Sequence, residues 1–295
     1  MKNRLFLTAL AITAGLLTAC SSDDEGTPGG ETPSPNKTER HISVEVSERP
    51  ITSDVAQTRA AISTIKTLTE FSMHGIYNGT QRNYTVEKSG NDWTVTPDTW
   101  PWNYNDKVSF YAHSGGTFVK SDVNYVSFST DEDAFHQHDL LVASNTVAYN
   151  DRNGLVPLTF SHACAAVRFY VQMSNTLSGK LNGQTLTVSS IMLRNVYNSG
   201  DYVFGSGWRN VGKTVDPTSD YTLTNGNIVI TTTSEPLPTE YLFLIPQSRT
   251  DTYLEVGYTV GSGTTKTVTI ELPTDWEAGK EYNINIKLGT TLILL

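Results

Sequence analysis

The stretch His41-Ile-Ser-Val-Glu-Val-Ser-Glu48 decides how this chain folds. Its apolar residues Ile42, Val44 and Val46 alternate with polar residues, and a period of two is typical of a β-strand with one buried face. The stretch therefore predicts an amphipathic strand, and it defines the pattern to look for along the rest of the chain.

The same pattern recurs in many short runs. They are rich in Thr, Val, Tyr and Ile, and turn pairs such as Asn78-Gly79 and Asn182-Gly183 separate them. No run has a convincing helical period, and many closely spaced strands are typical of β-sandwiches. The predicted strands are Thr67 to Tyr77, Asn83 to Glu87, Asp92 to Thr96, Lys107 to Ala112, Asn124 to Phe128, Leu140 to Ala143, Leu155 to Phe160, Ala166 to Val171, Thr185 to Leu193, Ile228 to Thr232, Tyr241 to Ile245, Thr252 to Val260, Thr267 to Leu272 and Tyr282 to Leu288.

The length of 295 residues suits two domains of ordinary size. The turn at residues 150–154 is the expected boundary, so we expect an N-terminal β-sandwich at 40–153 and a C-terminal one at 154–295. Alternation predicts two core faces in the second domain, formed by Val156, Leu158 and Phe160 and by Val167, Phe169 and Val171.

The first twenty residues form a secretory signal that ends at Cys20. Lys2 and Arg4 precede a short apolar run, and Leu17-Thr18-Ala19 leads directly to the cysteine. This ending resembles the lipobox of bacterial lipoproteins, which implies a signal peptide at 1–19 and lipid attachment at Cys20. An ordinary secretory signal that happens to end at Cys20 is the alternative.

Residues 20–39 form an acidic, Pro- and Gly-rich linker. Its run Ser21-Ser22-Asp23-Asp24-Glu25 is either a solvated spacer or an export signal, since it resembles the acidic signal of Bacteroidetes surface lipoproteins. Without residues 1–19, which hold Lys2 and Arg4, 19 basic residues face 30 acidic ones, a net charge near −11. Such a charge argues against nucleic acid as a partner.

Three groups of motifs resemble the fimbrillin family. They are Thr99-Trp100-Pro101-Trp102 with Lys107 to Ala112, His138 to Ala143 with Val156 to Ala163, and Leu244 to Gln247 with Trp276 to Tyr282. The resemblance implies a Bacteroidetes fimbrial subunit with two transthyretin-like, Greek-key β-sandwich domains. It also implies other fimbrial subunits as partners, a surface-exposed outer membrane lipoprotein as precursor, and a place in the fimbrium after processing.

The resemblance also implies proteolytic processing between Arg59 and Ala60. A trypsin-like protease would cut there and remove the preceding strand with Ile42, Val44 and Val46. An extended segment of another subunit could then refill the groove by β-augmentation. The alternative is that Arg59 is a solvated loop arginine.

The position of the subunit within a fimbrium stays open. The tail at residues 289–295 has four aliphatic residues but is short for a donor strand, so stalk, tip and basal anchor subunits remain alternatives. A different class of function is a monomeric surface lipoprotein that binds glycans on Trp93, Trp208 or Tyr221. The adhesion target would be a host or bacterial surface glycan or protein.

The sequence gives little support for a metal site or for catalysis. His136, His138 and Asp139 lie close together, and Asp131 to Asp133 are three consecutive carboxylates, but neither set has the spacing of a dedicated metal site. His162 lies far along the chain, and Cys164 sits in an apolar run that favours a buried thiol. We therefore expect no catalytic residues, no metal and no cofactor, and we expect that the protein is not an enzyme.

Overall fold

A computed structural model describes residues 40–53, 66–212, 218–239, 241–248, 251–272 and 275–292. Strands dominate, with 56% of residues in strand and 4% in helix, which confirms the all-β prediction. The elements belong to one compact unit, Glu39–Leu295. They are β1 Ser43–Glu48, β2 Thr52–Ser53, β3 Glu70–Tyr77, β4 Thr80–Ser89, β5 Asp92–Thr96, β6 Val108–Ser114, β7 Thr117–Val119, β8 Tyr125–Ser129, β9 Leu141–Val147, α1 Tyr149–Arg152, β10 Leu155–His162, β11 Ala165–Met173, α2 Asn175–Lys180, β12 Leu186–Tyr197, β13 Ser199–Val203, β14 Gly207–Arg209, β15 Thr218–Thr222, β16 Ile228–Ile230, β17 Glu235–Pro236, β18 Leu242–Leu244, β19 Tyr253–Val260, β20 Lys266–Glu271 and β21 Lys280–Leu288.

The first sheet has seven strands in the order β1-β10-β9-β6-β3-β4-β5. Its pairs are antiparallel except for β1 and β10, which run parallel. The sheet curls back on itself, because a bridge joins His41 to Thr99 just beyond β5. The inward side chains form the first cluster, which includes Ile42, Phe71, Met73, Tyr84, Trp100, Trp102, Phe110, Val156, Leu158 and Phe160.

Two further sheets form a sandwich. The second sheet has the order β17-β11-β21-β2, with β18 also paired to β11, and the third has the order β15-β12-β19-β20, with β16 also paired to β12. Their inner faces bury the second cluster, which includes Val167, Phe169, Val171, Ile191, Leu193, Tyr221, Leu242, Leu254 and Val256.

A small fourth sheet, in the order β14-β13-β8-β7, covers part of the outer face of the first sheet. Tyr111 of β6 points to this side and contacts Phe118 and Phe204, while its neighbours Phe110 and Ala112 are buried in the first cluster. A third cluster lies around the first residues of β9 and β11. It includes Ile51, Val126, Leu140, Cys164, Phe243 and Ile245.

One of the two core faces predicted for the second domain packs in the first cluster instead. Val156, Leu158 and Phe160 were expected in the second domain but pack in the first cluster, because β10 pairs with β1 and β9. Val167, Phe169 and Val171 do lie in the second cluster. The domain boundary at 153/154 stays a prediction, and the strand that follows it, Leu155–His162, lies in the first sheet.

Two short helices, α1 and α2, occur within the described residues, although the sequence showed no helical period. They have four and six residues, fewer than two turns, so no apolar stripe can develop. The second begins at Ser174, whose side chain accepts a hydrogen bond from the backbone N–H of Leu177 at 3.1 Å. A local cap rather than periodicity therefore specifies this helix.

The tryptophans flanking Pro101 are core residues. Trp100 and Trp102 are 3% and 7% exposed, and their rings meet edge to face at 5.8 Å. Trp102 lies directly over Gly75 of β3. A Cβ at Gly75 would approach the Trp102 ring to 2.6 Å and the Phe110 ring to 3.0 Å.

We predict that Gly75→Ala destabilises the protein by about 1–3 kcal/mol, because the added methyl overpacks the first cluster. Gly179→Ala is the matched control. Gly179 lies in α2 with open space around it, so alanine there should stabilise by about 0.5–1 kcal/mol. Urea unfolding of both variants measures the difference, and an unchanged midpoint for Gly75→Ala would contradict the packing described here.

Candidate functional site

The first run of described residues, 40–53, is called the leading segment, and it contains β1 and β2. β1 runs parallel to β10 with Ser43 opposite Leu155 and Glu48 opposite Phe160. On its other side, the backbone N–H of Ile42 donates to Asp98 O at 2.6 Å, and the N–H of Trp100 donates to Arg40 O at 2.8 Å. β1 is therefore an edge strand with further pairing only at its start among the described residues.

The side chains of β1 alternate as the sequence predicts. Ile42 is 3% exposed, and Val44 and Val46 are partly buried against the first cluster. The intervening residues, among them Ser43 and Glu45, are exposed. The structure thus brings the three predicted residues together on one face, above β10 and its neighbours.

Beyond β1 the leading segment passes to the second sheet. The N–H of Arg49 donates to Phe160 O at 2.8 Å, and Ile51 is buried in the third cluster. The N–H of Thr52 then donates to Gly279 O at 3.0 Å, and β2 pairs in parallel with the start of β21. One continuous peptide therefore closes an edge of both sheets.

A buried cluster of charges lies at the end of β1. Nδ1 of His162 is 2.5 Å from Oδ2 of Asp139, and Nε2 of His162 is 2.9 Å from Oε1 of Glu48. The side chains of His162 and Asp139 are each 1% exposed, and that of Glu48 is 9% exposed. The backbone N–H of Cys164 donates to the second oxygen of Asp139 at 3.1 Å.

The electrostatics of this cluster favour a charged imidazole. Burial alone lowers the pKa of His162, but the hydrogen bond and charge of Asp139, with the charge of Glu48, outweigh burial and raise this pKa. Burial raises the pKa of Asp139, and its hydrogen bond to His162 opposes part of that rise. His162 thus has a carboxylate beside each ring nitrogen, with a hydrogen bond to Asp139 at Nδ1 and an ion-pair contact with Glu48 at Nε2.

Sequence reasoning missed this cluster, because it treated His162 as remote from Asp139. A signal was present in the alternation. Glu48 continues the inward phase of Ile42, Val44 and Val46, and His162 continues the inward phase of β10. Alternation therefore places both side chains on the inward face, and the pairing of β1 with β10 brings them together.

The predicted processing and lipid sites, Cys20, Arg59 and Ala60, lie outside the described residues. Arg59 follows β2 by six positions and precedes β3. Cys164 is a free, fully buried cysteine, and burial raises the pKa of its thiol well above the ordinary value.

The remaining polar residues considered from the sequence are dispersed. His136 pairs with Asp133 at 2.6 Å on the surface, whereas Asp139 is buried against His162. Across the described part of the chain, no three His, Cys, Asp or Glu side chains are grouped as metal ligands. None of its helices is long and apolar enough to cross a membrane.

Two of the three aromatic residues predicted as glycan-binding platforms pack against other residues of the protein. Tyr221 is fully buried and its hydroxyl contacts that of Thr130 at 2.6 Å. The indole N–H of Trp208 donates to Ala163 O at 2.6 Å while its ring packs on the third cluster. Trp93 is half-buried at the far edge of the first sheet, against Phe71 and beneath Lys88.

The paired sheets, with two edges covered by the leading segment, define an all-β sandwich protein. The model of the fimbrillin-like family matches residues 55–295, which is most of the chain. The chain belongs to the fimbrillin-like family. The match begins directly after β2, so the leading segment lies before it. No curated protein sequence matches this chain.

Solved structures share the fold. A fimbrial protein from Bacteroides vulgatus ATCC 8482 superposes with a TM-score of 0.59 at 17% identity, over 84% of this chain and 95% of that one. A candidate cell adhesion protein from Bacteroides uniformis ATCC 8492 has a TM-score of 0.55 at 13% identity, over 88% of this chain and 96% of that one. At these identities the likeness concerns the fold alone.

We predict that Glu48→Gln destabilises the intact chain by about 1–3 kcal/mol, because it leaves one side of a buried imidazole without its charged partner. Glu45→Gln is the matched control on the same strand. Glu45 is exposed and forms an ion pair with Arg152 at 3.6 Å, so its loss should change stability by less than about 0.5 kcal/mol.

Chemical denaturation measures both variants, and a cycle with His162→Gln isolates the pair. The coupling energy between positions 48 and 162 should exceed about 0.5 kcal/mol. Equal stabilities for Glu48→Gln and Glu45→Gln would contradict the assignment of Glu48 to the buried cluster.

Proposed function

We propose that this protein is a structural subunit of a fimbrium, exported as a lipoprotein and assembled by donor-strand exchange. The observation that carries the proposal is the leading segment, which closes the edges of two sheets and directly precedes the family match. Membership of the fimbrillin-like family supports a fimbrial subunit at the cell surface that acts with other subunits rather than as an enzyme.

Removal of the leading segment would create a binding groove. The N–H and C=O groups of β10 that face β1 would lose their partners, and the apolar floor beneath Ile42, Val44 and Val46 would open. An extended segment from another subunit would restore both by β-augmentation. Re-burying four apolar side chains, including Ile51, supplies roughly 5–10 kcal/mol before ordering costs.

The lipid at Cys20 would act before this step. It would hold the precursor on the outer membrane, and cutting after Arg59 would release the lipid together with the leading segment. Working subunits would then be part of the fimbrium and support cell adhesion. A basal anchor subunit would instead keep Cys20 and remain uncut.

We predict that a trypsin-like protease converts the purified precursor into a chain that begins at Ala60 and forms high-mass, heat-resistant multimers. Arg59→Ala should abolish both results, because the protease requires a basic residue before the cut. Arg49→Ala is the control in the leading segment and should be processed normally. N-terminal sequencing and gel analysis give the readouts. An intact N-terminus, or a cut chain that stays monomeric, would refute the assembly proposal.

We predict that Cys20→Ser prevents lipid attachment, since the serine hydroxyl cannot replace the thiol in this modification. Cells grown with a labelled fatty acid should incorporate it into the wild-type precursor but not into the variant. Cys164→Ser is the control, because Cys164 is buried and should not affect labelling. Persistent label in Cys20→Ser would show that the lipid is attached elsewhere.

A further inference from the structure

The β1 position has a chemical gradient along its inward face. Ile42, Val44 and Val46 rest on apolar side chains of the first cluster. The next inward position, Glu48, instead faces His162 at 2.9 Å. A strand in this position therefore meets three apolar sites and then one buried basic site.

His162 belongs to the part of the chain that would remain after processing, as does Asp139. Glu48 belongs to the leading segment. Departure of the segment takes away the carboxylate at Nε2 and leaves Asp139 at Nδ1. A buried charge that loses one of its ion-pair partners is strongly destabilised unless a new partner arrives.

We propose that His162 is a specificity-determining residue that selects incoming strands with a carboxylate at the position of Glu48. The preferred pattern on the inward face is apolar, apolar, apolar, acidic, with one outward residue between each pair. This inference rests on the proposed strand exchange and names the chemistry of the partner segment. The partner is an extended segment of another subunit with an Asp or Glu side chain two residues beyond its last inward apolar residue.

The requirement for a carboxylate beside His162 also determines the register of the incoming strand. A shift of one residue turns the carboxylate outward, because successive side chains point to opposite faces. A shift of two residues keeps the phase but moves the carboxylate from His162 onto the apolar floor or past the end of β10. The apolar positions alone would tolerate that second shift, whereas the charge does not.

The stretch at residues 289–295 does not provide this pattern through its side chains. Residues 289–295, Gly-Thr-Thr-Leu-Ile-Leu-Leu, contain no acidic residue. The same segment from a second copy would offer apolar side chains without a carboxylate among them. Selection by His162 therefore favours a strand from a different subunit over this stretch of an identical one.

Competition between synthetic peptides tests the proposal. The full chain is nicked after Arg59 with the released segment left in place, and an excess of labelled peptide is added. The peptides carry the sequence of residues 40–53 as wild type, with Glu48→Gln, or with Glu45→Gln as the matched control. Native mass spectrometry measures the bound fraction of each peptide.

We expect the wild-type and Glu45→Gln peptides to bind within twofold of each other, and the Glu48→Gln peptide to bind at least tenfold more weakly. On a His162→Gln chain, the discrimination between Glu and Gln at position 48 should fall to within twofold. Should that variant not fold, the comparison of peptides on the wild-type chain decides alone.

Three outcomes would overturn the proposal in distinguishable ways. If the Glu48→Gln peptide binds within twofold of wild type, His162 does not select for a carboxylate, but strand exchange still occurs. Discrimination that persists on a folded His162→Gln chain shows that another residue makes the selection. Failure of every peptide to enter removes strand exchange itself, and this inference with it.

Discussion

The edges of β10 and β21, which β1 and β2 cover, impose the constraint on which the architecture depends. A strand edge presents N–H and C=O groups that pair with any extended chain within reach, so a stable protein has to cover it. Here β1 and β2 cover both edges, and only Arg49, Pro50 and Ile51 separate them. Because one peptide performs both tasks, its removal would uncover both edges together.

Periodicity predicted most of the strands but not their partners. The alternation of Ile42, Val44 and Val46 gave the correct buried face, since the period of a strand depends only on its own backbone. Leu155 to Phe160 was also predicted as a strand, yet its place beside β1 and β9 was not. Turn residues at 150–154 show where a strand ends, and they do not show which sheet the next strand joins.

The charge cluster was harder to predict, because its members are separated along the chain. Glu48 and His162 come together through a parallel register that no local pattern specifies. Asp139 lies just before β9, where alternation has not begun and gives no orientation. Pairing of β9 with β10 at Leu141 and His162 brings the carboxylate to the imidazole. The sequence pattern therefore predicts that Glu48 and His162 face inward, whereas their contact depends on how the strands pair.

Apolar burial and ion pairing have different roles along this edge. Burial is proportional to area and insensitive to direction, so the apolar side chains exclude a shift of one residue but not a shift of two. Burying Glu48, Asp139 and His162 carries a desolvation penalty that offsets much of their attraction, whereas loss of one partner is costly. The cluster therefore penalises every register that leaves the imidazole unmatched. The edge that β1 covers thus gains alignment from charge and affinity from burial.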